Sequence, residues 1–166
     1  MRFNAVFADL VGEAALEDVS LPDLFRGAVD DGWTVDERGA WLLRRFLATY
    51  SGSPSAFSDV TGYEAAVNGR GIPDLDLDVG GKARAAALAR RGAAFARAAL
   101  ARLNADFPDH PAAVAYVSIS DVDMDDEVVY VGDVTFVSVH DGEPPYLADL
   151  DGMAEGAVLA IDSAEC

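Results

Sequence analysis

The feature that most constrains this chain is an abrupt change of hydrophobic period around Pro108 and Pro111. Before the prolines, residues 82–107 are rich in Ala, Arg and Leu, the strongest helix formers. On a helical wheel Leu88, Phe95, Ala99, Leu103 and Phe107 share one arc, and Arg84, Arg90, Arg91, Arg97 and Arg102 lie mainly opposite. After the prolines the period is two. Residues 113–120 and 128–140, rich in Val, Ile, Tyr and Phe, read as strands joined by the acidic link 121–127. A turn at 141–145 precedes a third apolar strand at 156–162. One long amphipathic helix beside a few strands is best satisfied by helices packed on a face of an antiparallel sheet.

The upstream half reads as helical. Phe3, Val6, Phe7, Leu10 and Val11 mark one helical face over 2–17. Ser20 and Pro22 start a second helix that ends at Gly32, and Thr34 to Glu37 resembles a capping box for a third, carrying Trp41, Leu42, Leu43, Phe46, Leu47 and Tyr50. Between turn clusters at 51–54 and 68–73, Phe57, Val60, Tyr63 and Val67 allow a short helix. Asp74, Asp76 and Asp78 alternate with Leu75 and Leu77, as an extended segment with three carboxylates on one side would. The expected architecture is α+β, with a helical N-terminal two-thirds packed on a small C-terminal antiparallel β-meander. At 166 residues it is expected to form a single domain with a core that needs no disulfide or structural metal.

Charge then narrows the function. Twenty-nine Asp and Glu against twelve Lys and Arg give a formal net charge of -17. Such a field repels nucleic acid and anionic lipid, whose binding rests on neutralising phosphates with cations, and it attracts a basic partner. Asp outnumbers Glu by 21 to 8, and Lys82 stands alone among eleven Arg. A GC-rich genome or a halophile's cytoplasm produces the same bias, which is the reading in which the acidity carries no functional information. The lone cysteine, Cys166, cannot form an intramolecular disulfide. With no signal-peptide pattern after Met1 and no charge-free apolar run of bilayer length, the expectation is a cytoplasmic protein with no membrane partner.

No motif announces catalysis. Gly80-Gly81-Lys82 lacks the spacing and the Ser or Thr of a P-loop, and neither a G-x-S-x-G elbow nor H-E-x-x-H occurs. The run Asp121, Asp123, Asp125, Asp126, Glu127 resembles a calcium loop in density only: Asp126 stands where the turn needs Gly, and Gly132 where a bidentate Glu belongs. His110 and His140 lack the companions of a zinc site, so neither a metal nor a cofactor is expected. In composition alone the chain resembles small acidic inhibitors and immunity proteins of basic toxins and nucleases. It is therefore expected to be a non-catalytic binding domain that presents Asp74, Asp76, Asp78, Asp121, Asp123, Asp125, Asp126 and Glu127 to a basic protein. The alternative is a small enzyme or ligand-binding domain that holds an anion with Arg84, Arg91 and Arg97 and uses His140 as acid or base.

Overall fold

The computed structural model describes residues 1–12, 16, 19–124 and 127–166. Helix α5 (Gly81–Asp106) runs where the Ala-rich pattern predicts, and Leu88, Phe95, Ala99 and Leu103 are buried on its inner face. That face covers a five-stranded antiparallel sheet in the order β1-β7-β5-β6-β4. Its strands are β1 (Arg2–Phe3), β4 (Arg70–Gly71), β5 (Ala113–Met124), β6 (Glu127–Ser138) and β7 (Ala157–Asp162). Alternating residues of the central strands, Ala115, Val117, Ile119, Val134, Phe136 and Leu159, point into the α5 core. Helix and sheet meet closely because α5 places Gly92 at the contact: a Cβ there would lie 2.5 Å from Val117 and 2.8 Å from Ile72.

The mixed α+β class is as expected, but the sheet is not a meander. Strand β7 pairs with β5, from Val114↔Asp162 to Ile119↔Ala157, rather than with β6. The reason is that the outer edge of β6 is already occupied. Its even-numbered residues turn their main chain outward: Ser138 N–H donates to Glu64, Phe136 C=O accepts from Asn68, and Gly132 C=O accepts from Ile72 N–H. The chain after β6 therefore crosses the face opposite α5, where Leu147, Leu150 and Met153 pack on Val114, Tyr116, Val137 and Val158 before β7 begins.

The N-terminal two-thirds also contains strands where helices are expected. Residues 2–17 do not form one helix: Arg2 and Phe3 pair with Ala160 and Leu159 in β1, and α1 spans Ala5–Leu10. Asn4 divides them, its Oδ1 accepting the Phe7 amide as an N-cap and the Val158 amide of β7. Helix α2 (Asp23–Asp31) ends at Gly32 as read. The helix expected from Thr34 is instead a hairpin, β2 (Trp33–Val35) and β3 (Trp41–Leu43), followed by the single turn α3 (Arg44–Leu47). Asp36 makes the turn by accepting the Arg38 and Ala40 amides, and Gly39 takes φ +81° there. Helix α4 (Val60–Asn68) fits between this hairpin and β6. Among the described residues no helix is long and apolar enough to cross a membrane.

Candidate functional site

Residues 79–81, just after the first acidic segment, and Glu127 of the second, more than forty residues further along the sequence, line one groove. The 74–78 segment is not extended: Leu77 N–H donates to Asp74 C=O (2.9 Å), and the resulting turn leaves Leu75 fully exposed. Two of its carboxylates, Asp74 and Asp76, are each taken up by an arginine of α5. Arg84 pairs with Asp74 and also donates to the Tyr130 carbonyl of β6 (2.8 Å), which ties the turn to the sheet. Arg91 grips Asp76 through both carboxylate oxygens (2.7 and 2.6 Å) and donates to the Pro73 carbonyl. These hydrogen bonds hold the Asp76 carboxyl below the usual carboxylate range. Arg84 and Arg91, candidates for an external anion, are thus engaged by the chain's own carboxylates. Arg97 lies further along α5, in a shallow depression shared with Leu21 and Cys166, its Nη2 3.7 Å from the Met1 sulfur.

Opposite the turn stands a β-ribbon. Strands β5 and β6 stay paired out to Met124↔Glu127, whereas β7 covers β5 only as far as Ile119 and β4 covers β6 only to Asp133. Beyond those points the hairpin projects with Asp121, Val122, Asp123, Glu127 and Val128 exposed. Asp125 and Asp126 lie outside the described residues. Between ribbon and turn runs an open groove of about 510 Å³ lined by Val79, Gly80, Gly81, Arg84, Glu127, Val128 and Val129. The alternation that turns the Gly132 and Tyr130 carbonyls outward also aims the Val128 main chain outward, beside a side chain that is 52% exposed.

A second polar cluster lies at the far end of β6. His140, the candidate acid or base, pairs with Glu64 of α4, fully buried, at 3.0 Å from Nε2. Glu64 also accepts the amides of Trp41 (2.7 Å) and Ser138 (2.6 Å). Burial pushes its carboxyl above the usual range, against the downward pull of those amides and of His140. Glu143, on the next loop, accepts from the Val60 and Thr61 amides and the Thr61 hydroxyl at the start of α4. Burial would raise its carboxyl, but these donors and His140 outweigh that and bring it below the ordinary value. Glu64 and Glu143 escape a reading by motif. The one visible signal is that Glu64 is a single acid within the mainly apolar stretch 60–67.

The two carboxylates respond to pH with opposite sign. Glu143's contribution is present above the ordinary value of 4.5 and is lost as pH falls through its lowered folded value. Glu64's is complete below its ordinary value of 4.5 and is lost as pH rises through its raised folded value. Thermal melts from about pH 3 to about pH 8 are expected to show Glu143→Gln blunting the acid-side fall of stability and leaving the other limb in place. A profile parallel to wild type at every pH would refute the assignment.

Among the described residues no group of three or more His, Cys, Asp or Glu side chains could hold a metal ion. Comparison with protein-family models, curated proteins and solved structures returned no match.

Proposed function

We propose that this chain is a non-catalytic binding domain that receives a basic protein partner at the groove between the 74–78 turn and the β5–β6 ribbon, with the carboxylates of both acidic runs flanking it, as an inhibitor or immunity protein would. The observation that carries this reading is the convergence itself. Glu127 of one acidic run and Val79, next to Asp78 of the other, line the same groove, which also exposes Val128 and an outward-facing stretch of strand edge. Each component has a distinct physical role. The carboxylates steer a cationic surface and raise the association rate. Exposed valines, with Leu75 on a turn already fixed by Arg84 and Arg91, supply apolar anchors at little ordering cost. The β6 edge at Val128 offers main-chain groups to which an extended segment of the partner can add.

Reversing Asp78, Asp121, Asp123 and Glu127 to lysine tests the reading against an equal reversal of the exposed Asp30, Asp109, Asp149 and Asp151. For a basic partner isolated on the wild-type protein, the groove variant is expected to lower the association rate by about 10-fold or more at low salt, and the distal variant far less. Stopped-flow association at low and high salt makes the comparison. Equal losses in both variants would assign the attraction to the overall charge and defeat the groove.

A further inference from the structure

On the sheet face opposite α5, between Val114, Tyr116 and Val137 and the loop that follows β6, lies a cavity of about 380 Å³ that the groove reading leaves unused. Its size is that of a small-molecule site, and its walls are largely apolar. The rings of Tyr116 and Tyr146 stand 5.6 Å apart, tilted at 45°, with Pro144 and Pro145 beside them. Charge at the cavity does not cancel. At the lining, Arg2 is matched by Asp162 at 4.0 Å. His140 rests on Glu64, a pair that carries no net positive charge while Glu64 is ionised. Glu143 remains. Its two oxygens offer about four acceptor positions, and the three donors of α4 leave capacity for another.

The geometry points to a binding site for a small primary ammonium compound, its charged end at Glu143 and the tyrosine faces and its apolar body against Val114, Val137 and Leu147. Tyrosine faces attract cations and repel anions. A protein of net charge -17 also concentrates cations at every opening. A carboxylate of the same shape would meet Glu143 as a like charge and find Arg2 already matched.

Phenethylammonium and phenylacetate share a ring and a short chain and differ in the sign of charge, so the pair isolates the claim. Calorimetric titration and amide-shift mapping are expected to show phenethylammonium binding saturably at one site. Its largest shifts should fall at Val114, Tyr116, His140 and Ala148, with phenylacetate at least about tenfold weaker. Tyr146 is 42% exposed, so Tyr146→Ala should keep the wild-type melting point and lose affinity by about tenfold. Glu143→Gln should lose affinity similarly, with its fold checked by the dispersion of the amide spectrum. Three results would overturn the proposal. They are equal binding of phenylacetate, no saturation by about 10 mM, and shifts confined to the β5–β6 ribbon, which would mark a general response of the acidic surface.

Discussion

Phe95→Ala is expected to remove about 3–5 kcal/mol of stability. Phe95 leaves α5 toward the sheet and stacks on Phe25 of α2 with ring centroids 3.9 Å apart and planes 9° from parallel. Its edge contacts reach Phe46 of α3 at 6.0 Å and Phe136 of β6 at 5.3 Å. All four rings are buried, so truncation removes transfer energy and also opens a space that three separate elements would have to close. Aromatic neighbours are poor at closing it, since each is held by its own helix or strand. Native domains of this size hold only about 5–15 kcal/mol in total, so the variant should unfold at much lower urea with an unchanged slope. A loss under about 1.5 kcal/mol would mean that the cluster repacks and that Phe95 is not its hub.

That cluster also shows which parts of the fold are legible in the sequence. Phe95 is predictable as a core residue because Leu88, Ala99 and Leu103 share its arc on a helix whose composition admits no other structure and whose end is marked by Pro108. Residues 113–138 are equally plain, since β-branched and aromatic runs on either side of an acidic turn fit little else. Trp41, Leu42 and Leu43 are different: three consecutive apolar residues satisfy a buried strand as well as a helical stripe. What decides between them is Asp36, which accepts two amides and closes the hairpin turn at Gly39. The order of β7 beside β5 is illegible for another reason. Periodicity reports which face a strand buries and carries no information about its neighbour.

The candidate site divides in the same way. Each aspartate of the two acidic segments is conspicuous in the sequence, but the placing of the 74–78 turn beside β6 depends on Arg84 reaching both Asp74 and the Tyr130 carbonyl, which no spacing rule contains. An arginine face reads equally well as a binding surface and as an internal clamp. Here Arg84 and Arg91 act as the clamp, holding Asp74 and Asp76 of the 74–78 turn against α5. Val79 and Val128 pass unnoticed because exposed valines are ordinary until a groove brings them together.

Asn68→Ala is expected to cost about 3 kcal/mol or more, although it deletes only one small polar group. Asn68 is fully buried and completes three main-chain contacts: its Oδ1 accepts the Leu43 amide at 3.0 Å, and its Nδ2 donates to the carbonyls of Trp41 at 2.8 Å and Phe136 at 3.2 Å. Leu43 and Trp41 belong to β3, and Phe136 to β6. The side chain thus takes the place of a strand that would otherwise join the two sheets. Glu64, one turn earlier on α4, does the same for the Trp41 and Ser138 amides. Alanine leaves three backbone groups without partners in a site already dry, and each such group carries about 1–3 kcal/mol of desolvation cost. Aspartate retains the acceptor for Leu43 but sets a carboxylate against two carbonyls, so Asn68→Asp should be worse than alanine at neutral pH and should improve on acidification. Because Glu64 and Asn68 serve the same seam, Glu64→Gln combined with Asn68→Ala should lose less than the sum of the single losses. Hydrogen exchange separates the seam from the whole. In Asn68→Ala the Leu43 amide should exchange faster than the central β5 amides do, because the hairpin is released before the main sheet opens. Equal acceleration at Leu43 and in β5 would show that α4 is part of one cooperative core, with no separable hinge between hairpin and sheet.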